Sequence, residues 1–197
     1  IYELVCRTVR EWLDRGMNVN PVSCNFSSLH FDSPDFPELA AAIADRHNVP
    51  HALLELEITE SAIMRNPQIV CAQVLRLKEL GFMIAIDDFG SGYSSLGQLQ
   101  QLMADVLKLD RSFVRRGMFG TRERIVISNV IHMAGELGMQ VICEGVENAK
   151  QAEMLIELGC YYAQGFYYAK PMPKDAFEGL LEKGNVPHGE EIRNGAL

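Results

Sequence analysis

Short apolar runs alternate along the chain with segments of helical character. The apolar runs are short enough to be buried strands, and they lie at 22–26, 53–58, 82–86, 105–109, 139–143 and 160–163. Helical periodicity or helix-boundary residues mark the segments 3–15, 37–46, 68–80, 122–137, 148–158 and 174–183. Alternation of strands and helices at this scale is typical of parallel βα units.

Two of the predicted helices carry a clear apolar face. In 68–80 this face consists of Val70, Val74 and Leu77, and Gly81 follows as a stop signal. In 122–137 the predicted buried face consists of Val126, Val130, Met133 and Leu137. The segment 148–158 begins with a capping-box pair, Asn148 and Gln151, which predicts a helix start there.

The spacing of the six predicted strands indicates the fold class. Their starts fall between 22 and 160, a mean spacing of about 28 residues, close to one unit of a (β/α)8 barrel. An open doubly wound sheet has the same local signals and stays an alternative. Since a barrel has eight strands, we expect a TIM-type α/β barrel that lacks about two strand–helix units before Ile1. The barrel domain is expected over 1–183, and a polar tail over 184–197.

Composition narrows the classes of function. The 197 residues are 48% hydrophobic and 22% charged, with 18 basic and 26 acidic side chains and a net charge of −8. This balance argues against a nucleic-acid polymer as the partner. The five widely spaced cysteines predict free buried thiols in a reducing cytoplasm. No apolar stretch is long enough to span a membrane.

Polar side chains lie at or directly after the end of each predicted strand. They are Asn25, Glu57, Asp87 with Asp88, Lys108 with Asp110, Glu144 with Glu147, and Gln164. In a barrel such strand ends form one rim, where the catalytic residues of the fold lie. So many carboxylates favour a hard divalent cation, Mg²⁺ or Mn²⁺, and the Asp87–Asp88 pair suits a two-metal site for phosphodiester hydrolysis.

Each of these residues also has an ordinary structural interpretation. An Asn or a carboxylate at a strand end is commonly a turn former or a helix cap, and we interpret Asp110 in this way. Lys108 by itself would also suit a Schiff-base enzyme of aldolase type. Six consecutive strand ends with polar residues nevertheless favour the metal-dependent hydrolase.

Six longer motifs lie along the chain: PVSCNFSSLHF (21–31), ELEITES (55–61), IDDFGSGYSSL (86–96), LKLDRSFV (107–114), CEGVEN (143–148) and AQGFYYAKPMP (163–173). Together they resemble the EAL domain, a family of cyclic-di-GMP-specific phosphodiesterases. The resemblance implies a (β/α)8 barrel that hydrolyses cyclic-di-GMP to linear pGpG with Mg²⁺ or Mn²⁺. The one mild change is Ser91, where the family has Thr.

The resemblance also implies a role for each matched residue. It implies that Asn25, Glu57 and Asp87 are metal ligands, that Asp88 is a ligand of the second metal, and that Lys108 holds the nucleophilic water. Glu144 is similar to the proposed general base or second-metal ligand of the family. Glu147 and Gln164 are expected to contact the substrate, and Glu60 is expected to anchor the loop at 88–96.

The Glu-Ala-Leu triplet that names the family does not occur in the 197 residues. Truncation of an active enzyme is our leading interpretation, because the remaining site positions keep chemically competent residues. The alternative is a non-catalytic cyclic-di-GMP receptor or a protein-interaction scaffold. In the family, sensor or cyclase domains commonly precede the EAL domain, and we expect such domains upstream of Ile1.

A homodimer is expected through 88–103 and 121–137. The first of these segments carries Phe89, Tyr93, Leu96, Leu99 and Leu102. These residues are too apolar for an exposed loop and short helix. Since the same loop begins with Asp87 and Asp88, pairing of two subunits would couple association to the site. The alternative is that these side chains pack onto their own barrel.

Overall fold

The structure, a computed structural model of the chain, describes residues 1–90, 96–117 and 120–182. Its six strands are β1 (Val22–Asn25), β2 (Leu54–Thr59), β3 (Met83–Phe89), β4 (Val106–Leu109), β5 (Gln140–Cys143) and β6 (Tyr162–Ala163). Every strand predicted from the apolar runs is present. The predicted bounds differ most at β3, which continues through Asp87 and Asp88 to Phe89, and at β6, which begins only at Tyr162. The other strand bounds agree with the prediction within one residue.

The described part of the chain also contains ten helices and one 3-10 turn (His51–Leu53). The helices are α1 (Tyr2–Asp14), α2 (Ser28–Phe31), α3 (Phe36–Arg46), α4 (Glu60–Arg65), α5 (Pro67–Glu79), α6 (Leu96–Gln101), α7 (Arg111–Gly117), α8 (Thr121–Glu136), α9 (Ala149–Glu157) and α10 (Lys174–Glu182). The short helices α2, α4 and α7 were not predicted, because four to seven residues are too few to show a period. The short helix expected within 88–103 is α6.

The chain divides into two compact units. The N-terminal unit comprises Ile1–Lys108 and Leu137–Gln140, and the C-terminal unit comprises Leu109–Glu136 and Val141–Leu197. The prediction of a single barrel domain over 1–183 and a tail over 184–197 stays a prediction. Residues 183–197 lie outside the described part of the chain.

In the N-terminal unit, β1 to β4 lie in chain order. β1 pairs with β2 and β2 with β3, each in parallel. The alternate side chains Leu54, Leu56 and Ile58 of β2 are fully buried. Val70, Val74 and Leu77 of α5 are also buried, which confirms the predicted face of that helix. Gly81 ends the turn after α5 with a φ of +92°, a conformation that glycine adopts without strain.

In the C-terminal unit, β5 pairs with β6 in parallel. The predicted capping box of α9 is present: the Gln151 amide donates to Asn148 Oδ1 at 3.1 Å, and Gln151 Oε1 accepts from the Asn148 amide at 3.3 Å. The predicted buried face of α8 was wrong. Its buried residues are Ile127, Ile131 and Ala134, whereas Val126 is 57% exposed. The two apolar stripes are adjacent and have the same helical period, so periodicity could not choose between them.

Among the described residues, no helix combines the length and the apolar character that crossing a bilayer requires.

Candidate active site

Strand β2 places two carboxylates in the interior of the N-terminal unit. Successive side chains of a strand point to opposite faces, so Glu55 and Glu57 share the face opposite Leu54, Leu56 and Ile58. Glu55 is 6% exposed and Glu57 is 3% exposed. Because a buried carboxylate without partners is very unfavourable, the structure must supply polar partners to this face.

Lys108 on β4 is the cationic partner of Glu57. Its Nζ lies 2.7 Å from Glu57 Oε1 and 3.5 Å from Asp87 Oδ1. Both members of the shorter pair are buried, with 8% of the Lys108 side chain and 3% of the Glu57 side chain exposed. Three residues far apart in the sequence, at the ends of β2, β3 and β4, are therefore brought together as the sequence predicted.

Asn25 and Asp88 lie at the solvent-exposed edge of this cluster. Asn25, the last residue of β1, is opposite Glu57 in the strand register and is exposed. Asp88 is also exposed, and its amide donates to Asp87 Oδ1 at 3.0 Å. Its φ of +55° is uncommon for a residue other than glycine. Strained backbone of this kind concentrates at functional sites, which is consistent with a special role for the end of β3.

Glu60 fixes the chain directly after β3. It follows β2 as the first residue of α4, is 3% exposed, and its Oε2 accepts a hydrogen bond from the Gly90 amide at 2.7 Å. Thr59, one residue earlier, caps α4 through its side-chain oxygen. Glu60 is therefore tied to the start of the loop that it was expected to anchor. Ser91 and the rest of that loop, to residue 95, lie outside the described residues.

The C-terminal unit brings Glu144 and Gln164 together. Both residues directly follow strands, β5 and β6, whose register pairs Cys143 with Ala163. Gln164 Nε2 donates to Glu144 Oε1 at 2.7 Å, so the two side chains are joined directly. Glu147 follows in the same loop and is exposed.

One polar contact of these regions was missed from the sequence. Ser23 Oγ donates to Glu55 Oε1 at 2.5 Å, two register positions before Asn25 and Glu57. Burial raises the pKa of Glu55, and the charge of Glu57 raises it further, whereas the Ser23 bond opposes the shift. Glu55 lies two residues before Glu57, so strand alternation was a signal that could have placed it on the same face. Asp110, interpreted as a turn former, indeed accepts from the Ser112 amide at 2.9 Å.

The apolar residues expected at a dimer interface are partly corrected. Phe89, Leu99 and Leu102 are 6%, 5% and 3% exposed, so they pack onto their own chain. Tyr93 lies outside the described residues, as does the side chain of Leu96. In 121–137 the exposed apolar residues are Ile125 and Val126, at 56% and 57%, together with Leu137 at 41%. Helix α8 therefore keeps exposed apolar side chains, while in 88–103 the residue Met103 is 61% exposed.

The family is shown by comparison of the sequence with known domains. The sequence model of the EAL domain matches residues 1–171. This chain belongs to the EAL domain family. Its relatives include the signaling protein YkoW of Bacillus subtilis, 38% identical over 181 residues, and the cyclic di-GMP phosphodiesterase PdeR of Escherichia coli K12, 34% identical over 174 residues.

The EAL chain is short beside these relatives. It is matched over 92% of its own length by YkoW and 88% by PdeR, but the matches cover only 22% and 26% of those two proteins. The chain therefore spans about a quarter of the curated relatives that it matches.

Solved EAL structures have the same fold. The EAL domain of Mycobacterium smegmatis DcpA is 35% identical, with a TM-score of 0.88 over 94% of this chain and 84% of that one. The PaMucR phosphodiesterase in complex with c-di-GMP is 34% identical, with a TM-score of 0.83 over 89% of this chain and 71% of that one. The predicted α/β fold of (β/α)8 type is thus confirmed.

Proposed function

We propose that this EAL domain hydrolyses cyclic-di-GMP, opening one phosphodiester bond to give linear pGpG. The observation that carries the proposal is the buried cluster of Lys108 Nζ with Glu57 and Asp87. Related proteins support it as well. PdeR is named a cyclic di-GMP phosphodiesterase, and the structure of the PaMucR phosphodiesterase is a complex with c-di-GMP.

The donor atoms of the cluster fit Mg²⁺ or Mn²⁺. Asn25, Glu57 and Asp87 offer only oxygen ligands, which such hard cations prefer to nitrogen or sulfur. We propose that these residues hold one metal ion, and that Asp88 and Glu144 serve a second. When bound, a pair of such ions would supply charge stabilisation for the phosphate and a more acidic water.

The remaining groups have proposed roles around the reacting phosphate. The Lys108 ammonium orients the attacking water, for which its three N–H donors are suited. The Glu144 carboxylate accepts the proton of that water, and its bond from Gln164 orients it. Gln164 and Glu147, both exposed, contact the substrate, while Glu60 keeps the start of the loop after β3 in place.

Asp87→Asn tests the catalytic assignment. We expect the protein as encoded, with any sequence that precedes Ile1, to release pGpG from cyclic-di-GMP with Mg²⁺ or Mn²⁺. The variant should lose at least about 100-fold in kcat, in line with other losses of an essential charged group. Asp14→Asn, which changes a carboxylate whose side chain is 66% exposed, is the matched control and should keep the wild-type rate. A wild-type rate in Asp87→Asn would refute the assignment.

The absence of the Glu-Ala-Leu triplet from the 197 residues favours one second candidate, a receptor or scaffold that does not hydrolyse the ligand. Calorimetric titration with cyclic-di-GMP, with and without Mg²⁺, separates the two. Binding without pGpG release would support a receptor. A folded chain that binds no ligand would support a scaffold.

We also propose the biological setting. The protein MucR of Pseudomonas aeruginosa, 34% identical over 175 residues, is named a bifunctional diguanylate cyclase and cyclic di-GMP phosphodiesterase. Since this chain spans only about a quarter of such relatives, we propose that sensor or cyclase domains accompany it. We further propose a cytoplasmic location and a homodimer to which α8 contributes its exposed apolar face.

A further inference from the structure

The loop after β5 carries Glu144 and Glu147, and three of its backbone amides are hydrogen-bonded. The Glu144 amide donates to the Leu109 carbonyl at 3.0 Å, and the Val146 amide donates to the Gln164 carbonyl at 3.1 Å. Close packing restricts the loop further, because a Cβ on Gly145 would lie 2.5 Å from Arg111 Cβ. The two glutamates are therefore presented by a backbone with little freedom to move.

The amide of Glu147, in the same loop, donates to a side chain and not to a carbonyl of the backbone. It donates to Gln151 Oε1 at 2.7 Å, the shortest of the three bonds. Gln151 is 7% exposed and lies in the first turn of α9. Its backbone amide donates to Asn148 Oδ1 at 3.1 Å, which is the other half of the capping box of α9.

We propose that Gln151 is a positioning residue for Glu147. Its side-chain oxygen joins the helix start to the Glu147 backbone and so directs the Glu147 carboxylate towards the substrate. This inference rests on the proposed function, in which Glu147 contacts cyclic-di-GMP. It goes beyond a helix cap, because a cap only has to satisfy the Asn148 amide, whereas the shorter bond is made to Glu147.

The two halves of the capping box provide a matched pair of variants. Gln151→Met keeps the length and most of the packing volume but removes the acceptor for the Glu147 amide. Asn148→Ala removes the acceptor for the Gln151 amide and leaves the Glu147 bond in place. Loss of either half should lower the stability of the helix start to a similar degree, about 1 kcal/mol. Gln151→Glu, unlike Gln151→Met, still has a side-chain oxygen that can accept from the Glu147 amide.

The test measures hydrogen exchange of the Glu147 amide, the unfolding midpoint, and kcat and KM for cyclic-di-GMP, in the protein as encoded. Gln151→Met should speed Glu147 exchange and lower kcat/KM at least about tenfold, as losses of supporting hydrogen bonds commonly do. Gln151→Glu should restore both. Asn148→Ala should lower the midpoint as Gln151→Met does, yet keep Glu147 protected and kcat/KM within about twofold of wild type.

Gln151 would act only as a helix cap if kcat/KM fell equally in Asn148→Ala and Gln151→Met. The same would follow if kcat/KM were as low in Gln151→Glu as in Gln151→Met. A wild type that releases no pGpG would refute the proposed function instead. In that case the exchange rate of the Glu147 amide in the three variants still decides whether Gln151 holds this loop. Unchanged Glu147 exchange in Gln151→Met would overturn the inference.

Discussion

The Lys108 ammonium lies in the interior of the N-terminal unit between the carboxylates of Glu57 and Asp87. Removing the cation leaves Glu57 buried without its partner. Because uncompensated buried charges are strongly unfavourable, we expect Lys108→Met to lower the free energy of unfolding by about 3–5 kcal/mol. Urea unfolding without divalent metal measures this loss.

The control for this prediction is an exposed ion pair. Arg124 and Glu157 in the C-terminal unit pair with 40% and 65% of their side chains exposed, so Arg124→Met should cost less than about 1 kcal/mol. The double variant Lys108→Met, Glu57→Gln should recover most of the stability that Lys108→Met loses, because it buries an uncharged amide. A Lys108→Met loss no larger than that of Arg124→Met would contradict the assignment of a buried pair.

The five cysteines differ in access, as the structure corrects the expectation that all are buried. Cys6, Cys24, Cys143 and Cys160 are buried, whereas Cys71 on α5 is only partly covered. Burial raises the pKa of Cys24 to about 12, so almost none of it is thiolate at pH 8. A hydrogen bond with Cys143 lowers the pKa of Cys160, but this thiol is 3% exposed.

We therefore expect iodoacetamide at pH 8 to label Cys71 first in the folded protein. The four buried thiols should react only when urea unfolds the chain, and peptide mass spectrometry follows each one. Labelling of Cys160 as fast as Cys71 would show that its lowered pKa outweighs its burial, contrary to this prediction.

At the scale of elements, the connection after β6 is packed against the loop after β5. The Val146 amide donates to the Gln164 carbonyl, and the Val146 carbonyl accepts from the Tyr167 amide. A Cβ added to Gly165 would overlap the Val146 backbone, because it would lie 2.8 Å from the Val146 carbonyl carbon. Since this obstacle is backbone and not a flexible side chain, we expect Gly165→Ala to cost at least about 3 kcal/mol, the range of severe packing defects.

Gly159→Ala, in the turn before β6, separates steric overlap from backbone strain. Gly159 has a φ of +87° and open space where a Cβ would lie, so this variant should cost only the left-handed conformation, about 1–2 kcal/mol. Chemical unfolding of both variants measures the difference. Equal losses would mean that the contact of Gly165 with Val146 is not tight.

Helix α8 shows what local pattern can and cannot predict for an element. Its existence followed from apolar periodicity, and the structure confirms it. Its buried face did not follow, because Ile127 and Val126 are adjacent apolar residues of similar helical spacing. Only packing against the rest of the unit, which contains α7, buries Ile127 and leaves Val126 exposed.

At the scale of the whole molecule, the proposed homodimer can be tested on that exposed face. A variant with Ile125→Glu and Val126→Glu should dissociate the dimer in sedimentation velocity at micromolar concentration, because it places charges on apolar residues that are 56% and 57% exposed. Ile69→Glu, on an α5 residue that is 46% exposed, is the control and should leave the association unchanged. A monomeric wild type, or a double variant that stays dimeric, would remove α8 from the interface.

Leu99 and Leu102 are unsuitable for this test. At 5% and 3% exposure they belong to the core of the N-terminal unit, so Asp at either position would unfold the chain whether or not it dimerises. Their apolar character in the sequence is explained by burial within the chain and not by an interface.

The sequence by itself determined the order of strands and helices, the family, and the residue types at the strand ends. These features are local: strand length, helical period, glycine stops and motifs all lie within about ten neighbouring residues. Only the tertiary structure decided that Lys108 pairs with Glu57, 51 residues away, that Ser23 bonds to Glu55, and that Leu99 is buried. Such pairings depend on the register of parallel strands. Because a long crossover connection separates paired parallel strands in the chain, the local sequence does not determine that register.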